Sequence, residues 1–152
     1  MYLNELLNNK IFFTVLFAWI FSCLLKGMLV CIKDKHLDMT RFMGPGGMPS
    51  SHSTIVTSLA TCVGIHDGFD SSAFVICCAL ALVVMYDASG IRRAAGQQAR
   101  MINMIIDAWD ESDPIERQIR LKELLGHTPL EVCAGALLGI IFGVVSNMIF
   151  GL

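Results

Sequence analysis

The sequence predicts an all-α fold: a single membrane domain over residues 1–152, built as a bundle of about four transmembrane helices plus a short interfacial amphipathic helix. Three observations point there. Hydrophobic residues make up 55% of the chain and charged residues 16%, with a mean hydropathy of +0.63, whereas soluble domains carry roughly 25% charged residues. The apolar residues gather into runs of membrane-spanning length. The Lys and Arg residues gather into two loops.

The start, MYLNELLNNK, lacks a basic leader region and no small-residue cleavage site follows, so no removable signal peptide is expected. Ile11–Val30 is then twenty residues, nearly all apolar, against the ~20 that a helix needs to cross a bilayer. Lys26 near its end is expected to snorkel toward the headgroups. The loop that follows holds Lys33, Lys35 and Arg41, then GPGGMPSSHST, residues 44–54, whose glycines and prolines break regular structure. The Ser53–Ile65 run is shorter and carries Thr54, Thr57, Ser58 and Thr61. It spans if its helix begins near Ser50, and a re-entrant helix is the competing form.

The turn HDGFDS contains two aspartates and no Lys or Arg, and Ala73–Tyr86 with its flanks forms the third span. Arg92–Trp109 can continue that span as a helix with Arg93, Gln97 and Arg100 along one face. Asp113-Pro114-Ile115-Glu116 reads as a cap, a first-position proline and a capping-box acid, opening the amphipathic stretch IERQIRLKELL. Val132–Phe150 is the last span. Arg92, Arg93, Arg100, Arg117, Arg120 and Lys122 all precede it. Four spans put both basic loops on one side, and the positive-inside rule makes that side cytoplasmic. An integral protein of the cell membrane is expected, with the bilayer as its surroundings and a homo-oligomer left open. The net charge of −2 says little, because the charges are segregated along the chain; no nucleic-acid partner is expected. The six cysteines include no Cys-x-x-Cys pair and lie mostly in apolar runs, which predicts buried free thiols and no metal site.

In this topology the second and fourth spans both start in the cytoplasmic layer. His52 sits at the mouth of one and His127 at the mouth of the other, where Thr128-Pro129-Leu130-Glu131 is a second capping box. Helix N-termini offer backbone N–H groups and partial positive charge to an anion. Lys33, Arg41, Arg92 and Arg93 share the layer and can neutralise a dianion. Two histidines, several cations and two helix mouths make a phosphoryl-transfer site. The plainer readings are that Ser50 and Ser51 are only caps, that Glu131 is only the capping-box acid, and that Arg100, Arg117 and Arg120 meet lipid headgroups. A charge such as Asp87, at the end of the third span, calls for a partner, Arg92 or Lys26. His36 and His66 are expected to be surface histidines.

MPSSHS, YDASGIRRAAGQQA with Asn103 beyond it, and LKELLGHTPLEVCAGALLG resemble the divergent branch of the type 2 phosphatidic acid phosphatase superfamily, whose members are often labelled acid phosphatase or vanadium-dependent haloperoxidase-related proteins. The likeness runs from about Lys26 to Gly139. Pro49-Ser50-Ser51-His52 is similar to the superfamily's Pro-Ser-Gly-His, and His127 with Glu131 to its His-x-x-x-Asp. Lys33 and Arg41 stand for its Lys/Arg motif, more widely spaced and without a following proline. The resemblance implies a phosphoric monoester hydrolase acting on a membrane lipid phosphate: phosphatidylglycerophosphate, phosphatidate or a polyprenyl phosphate. It implies His127 as nucleophile, Glu131 as the group orienting it and His52 as general acid. Lys33, Arg41, Ser50, Ser51, Arg92 and Arg93 would hold the phosphate, Lys26 and Asp87 would support them, and neither metal nor cofactor is called for. Two other classes compete: a non-catalytic lipid-phosphate binding protein, and a small anion transporter with Thr57, Ser58 and Thr61 along its path.

Overall fold

The computed structural model describes residues 2–34, 47–109, 121 and 126–151. The fold is all-helical, with α1 at Tyr2–Leu7, α2 at Lys10–Asp34, α3 at Ser51–Asp67, α4 at Ser72–Ser89, α5 at Ile91–Trp109 and α6 at Pro129–Phe150. Arg41, His36 and the IERQIRLKELL stretch (apart from Leu121) lie outside the described residues, as does the side chain of Lys33. Among the described residues three segments are long and apolar enough to cross a membrane: Lys10–Ile32, Ser72–Asp107 and Pro129–Phe150. The remaining expected span, α3, does begin at Ser51 behind an N-cap at Ser50. With 17 residues at ~1.5 Å each it reaches less far than the ~30 Å of a hydrocarbon core.

That short helix is the centre of the bundle and touches α2, α4 and α6. Its buried side chains are small or hydroxylic, among them Ser53, Thr54, Ser58 and Cys62, while Phe17, Leu24, Val83, Leu137 and Ile149 face outward. This arrangement suits a lipid solvent, in which large apolar side chains gain nothing by turning inward and helices associate through close backbone approach. On α6 the small residues are Gly135, Gly139 and Gly143, one every fourth position and all buried. A Cβ on Gly139 would collide with Thr57 Oγ1 and the Thr54 carbonyl, and one on Gly143 would stand 2.7 Å from Thr61 Cβ. The contact that results is bonded as well as close. Thr54 Oγ1 is shared between the carbonyls of Ser50 (3.0 Å) and Gly135 (3.1 Å), and Thr57 Oγ1 between those of Ser53 (2.8 Å) and Ala136 (3.0 Å).

Gly139→Ala is therefore expected to destabilise the bundle by about 1–3 kcal/mol, the usual cost of overpacking. Leu137→Ala, at an exposed position of the same helix, should have a much smaller effect. Thermal unfolding in detergent checks the pair; equal midpoints would refute this account of the α3–α6 contact.

Two polar layers close the bundle. At one end the Ser50 N–H donates to the Glu131 carbonyl (3.0 Å) and the His127 N–H to the Ala88 carbonyl (3.0 Å), joining the starts of α3 and α6 to the end of α4. At the other, Lys10 Nζ donates to the carbonyls of Phe150 (2.7 Å) and Gly151 (2.9 Å), a cation on the negative end of α6. α4 passes at Gly90 into α5, where Arg93, Gln97 and Arg100 are exposed along one side as expected. The six cysteines are free thiols, but only Cys62 is buried. Cys133 is exposed because an apolar run in this fold faces lipid as often as protein.

Candidate active site

Ser50 caps α3 and is fully buried. Its Oγ accepts from the Ser53 N–H (3.4 Å) and the Ser53 hydroxyl (3.1 Å), and its own N–H is spent on Glu131. The Ser50 hydroxyl thus organises the helix mouth from behind. Ser51 and His52 form the first turn, Ser51 buried and His52 exposed, so that turn turns its histidine outward.

At the α6 mouth, Thr128 Oγ1 accepts from the Glu131 N–H (3.3 Å), and Glu131 Oε2 accepts from the Thr128 N–H (3.1 Å), completing the capping box. The same Oε2 lies 3.0 Å from Nδ1 of His127, whose side chain is 8% exposed. Capping the helix and orienting the imidazole are therefore compatible, since one carboxylate oxygen has lone pairs for both. An ionised Glu131 requires the proton on Nδ1, which leaves Nε2 with a free lone pair. The rings of His52 and His127 face each other with centroids 6.4 Å apart and planes inclined at 65°. That gap is too wide for a direct hydrogen bond. A reacting atom at ~3 Å from one nitrogen and a leaving oxygen at ~3 Å from the other fit between them.

The cations converge on this gap unevenly. Lys26 is 2% exposed and does not snorkel. It ends the buried stripe Thr14, Ala18, Ser22, Lys26 on α2, one residue per helical turn, which aims it into the bundle. A Cβ on Gly47, whose φ is +88°, would come within 3.1 Å of the Lys26 stem, so the loop ahead of Pro49 lies against that lysine. Arg92 Nε donates to Asp87 Oδ2 at 2.6 Å, one of the two partners expected for Asp87. Arg93 is exposed. Gly126 is pressed onto the Arg92–Arg93 backbone, where a Cβ would lie 2.6 Å from Arg93 Cα, and this contact sets His127 beside the α4–α5 turn. The His52 imidazole, exposed on its outer side but partly desolvated where it meets the gap, is held below its ordinary pKa first by that desolvation and then by its neighbours Arg92, His127 and Lys26, with Asp87 opposing. Among the described residues no three His, Cys, Asp or Glu side chains converge as a metal site. His66 is exposed and pairs with Asp67 at 2.7 Å, far from this layer's chemistry.

The family model described as the Divergent PAP2 family matches residues 7–142. The chain belongs to that family. The matched stretch takes in α2 to α5, both histidines and Glu131. The divergent PAP2 chain is also 40% identical to "Uncharacterized membrane protein YuiD" of Bacillus subtilis (strain 168), over 156 aligned residues covering 96% of this chain and 99% of that one. No solved structure matches it.

Two small-residue stripes that shape the divergent PAP2 site were not singled out from the sequence, and Asn103 entered only through the family resemblance, without a structural role. The Gly135-Gly139-Gly143 stripe was legible as a small-residue repeat in an apolar helix, and the Thr14-Ala18-Ser22-Lys26 stripe at the same spacing would have turned Lys26 inward. Asn103, 6% exposed, accepts from the Leu121 N–H (3.0 Å) and donates to its carbonyl (2.9 Å). It ties α5 to the segment leading into Gly126 and His127, a pairing across 18 residues that no local pattern announces.

Proposed function

We propose that this divergent PAP2 protein is a membrane-embedded lipid phosphate phosphatase working through a phosphohistidine intermediate. The observation that carries the reading is His127, with Nδ1 held by Glu131 at 3.0 Å, beside His52 with the two ring centroids 6.4 Å apart. His127 Nε2 attacks phosphorus, and the P–O bond to the lipid breaks as His52 gives its proton to the departing alkoxide. Water then attacks phosphorus, giving up a proton to His52; the N–P bond breaks, and inorganic phosphate and both histidines are regenerated. Lys26, Arg92, Arg93, Lys33, which stands in the last turn of α2 rather than in the loop expected for it, and Arg41 from the stretch that follows supply positive charge to the equatorial oxygens, with the first-turn N–H groups of α3 at Ser51 and His52. The substrate class is a phosphomonoester of a membrane lipid, of the phosphatidylglycerophosphate, phosphatidate or polyprenyl phosphate type.

The hydroxyls argue against a transport path. Thr57 is shared between two carbonyls, Ser58 Oγ donates to the Ile55 carbonyl (2.9 Å) and Thr61 Oγ1 to that of Thr57 (2.8 Å), all against the glycine stripe. A binding protein without catalysis would keep the cations but have no need of both histidines.

Purified protein in vesicles is expected to release phosphate from these lipids, to keep that activity in EDTA and to lose it to vanadate. Activity abolished by EDTA and restored by Mg²⁺ would refute the histidine mechanism. The site faces the cytoplasm in this reading. Cysteine-accessibility mapping should accordingly find residues 33–45 and 95–125 inside and 66–71 outside, and a cytoplasmic HDGFDS turn would reverse the orientation.

A further inference from the structure

α5 is amphipathic the wrong way round for a protein in water. Among its described residues Gly96 and Asn103 are buried, at the edge of the polar side whose Arg93, Gln97 and Arg100 stay exposed. Ile91, Met101, Ile102 and Ile105, its apolar side, are 44–65% exposed. The inward side is tied down by the Asn103–Leu121 bonds and by Gly126 on the Arg92–Arg93 backbone. A helix held by the edge of its polar side, with its cations exposed and its apolar face outward, lies at the membrane interface and turns that apolar face to hydrocarbon. It follows α4 directly through Gly90, in a helical segment, Ser72–Asp107, that holds one apolar window of membrane length.

Where α4 turns into α5, this outward surface is indented. Leu82, Val83, Tyr86, Asp87 and Ile91 line a groove of about 580 Å³. It is apolar along its length and ends at the Asp87–Arg92 ion pair, 2.6 Å long. A lipid phosphate has this same succession of hydrocarbon followed by dianion. We infer that the groove between α4 and α5 seats a hydrocarbon chain of the substrate, so that the lipid enters sideways from the leaflet and its phosphate meets Arg92 first. The inference rests on the proposed lipid phosphate chemistry and adds the place where the tail is read. Arg92 leaves Asp87 for the incoming phosphate, exchanging one charge-assisted partner for another. Arg92 also depresses the His52 pKa, which links the end of the groove electrostatically to the histidine gap.

Val83→Trp fills the groove without adding charge. It is expected to lower kcat/KM for a long-chain phosphatidate by about tenfold or more, the effect of displacing two or three buried methylenes. Nitrophenyl phosphate, which has no tail, should be hydrolysed within about twofold of the unmodified protein. Equal losses on both substrates, or none on either, would overturn the groove. A second measurement needs no turnover. A phosphatidate with a diazirine near the end of its chain, in phosphatidylcholine vesicles, should label the peptide containing residues 82–91. Phosphatidate should compete, phosphatidylcholine of the same chain should not, and Val83→Trp should reduce the yield severalfold. Labelling spread evenly over all spans, or a second copy of the chain crosslinked at 82–91 in place of lipid, overturns the inference. Selective labelling by a protein that hydrolyses neither substrate would remove the phosphatase reading and leave the groove standing as a lipid phosphate site.

Discussion

His127→Ala should abolish turnover, with a loss on the order of 10⁴–10⁶, the scale seen when a nucleophile is removed from a group that acts as a unit. It should also leave no acid-labile phosphoenzyme after a brief exposure to radiolabelled substrate. The expectation follows from the position of the ring. His127 is buried, its backbone N–H is fixed to the Ala88 carbonyl at 3.0 Å and its Nδ1 to Glu131 at 3.0 Å, so only Nε2 remains for chemistry. Alanine deletes that atom and nothing else in the bundle replaces it. The fold should survive, because the backbone bond to Ala88 and the Thr128 capping box do not use the imidazole. Glu131→Gln separates capping from electrostatics. The amide oxygen can accept from both Thr128 N–H and Nδ1–H as Oε2 does now, so geometry is kept and only charge is lost. Charged hydrogen bonds exceed neutral ones by about 1 kcal/mol, so activity should fall roughly tenfold with little change in thermal stability. Normal phosphoenzyme formation by a folded His127→Ala protein would end the mechanism.

His52→Ala should lose about 10²–10⁴-fold on a lipid phosphate, the range of general acid catalysis. It should lose far less on nitrophenyl phosphate, whose leaving group departs without a proton. The pH profile carries the same assignment. Burial, then Arg92, His127 and Lys26, hold the His52 pKa below the ordinary 6.5. A general acid must begin protonated, so kcat/KM should be sustained below that lowered pKa and fall as pH rises through it. A bound phosphate dianion favours the imidazolium, so the corresponding fall in kcat should lie at higher pH than the fall in kcat/KM. Both falls should vanish in His52→Ala. An unchanged profile in that variant, or equal losses on the two substrates, would assign the proton to another group.

Much of this protein was determined locally, and the sequence by itself was enough for that part. Apolar runs of membrane length make α2, α4 and α6 because an unpaired backbone is too costly in hydrocarbon for any form but a helix. Ser50 and Thr128 cap their helices, and Glu131 closes its box, because these interactions span only three residues. The expected four-span topology puts the starts of α3 and α6 in one layer, and the rings of His52 and His127 do lie near each other, with centroids 6.4 Å apart. Tertiary structure decided what lies across that layer. Lys26 is buried rather than snorkelling because the small-residue stripe of α2 turns inward, a matter of helix rotation that the length of an apolar run does not specify. α3 sits in the centre, although it is the shortest and most polar of the four bundle helices, because Gly135, Gly139 and Gly143 admit its backbone and its hydroxyls find carbonyl acceptors on α6. Glu131 serves cap and histidine through one oxygen, which depends on the ring's position to a few tenths of an ångström. α5 packs through Gly96 and Asn103, at the edge of its polar face, because Asn103 meets Leu121 and Gly126 meets Arg93, contacts between segments far apart in the chain. Hydrophobic period alone identifies the two faces of such a helix, and only its neighbours decide which one meets the lipid.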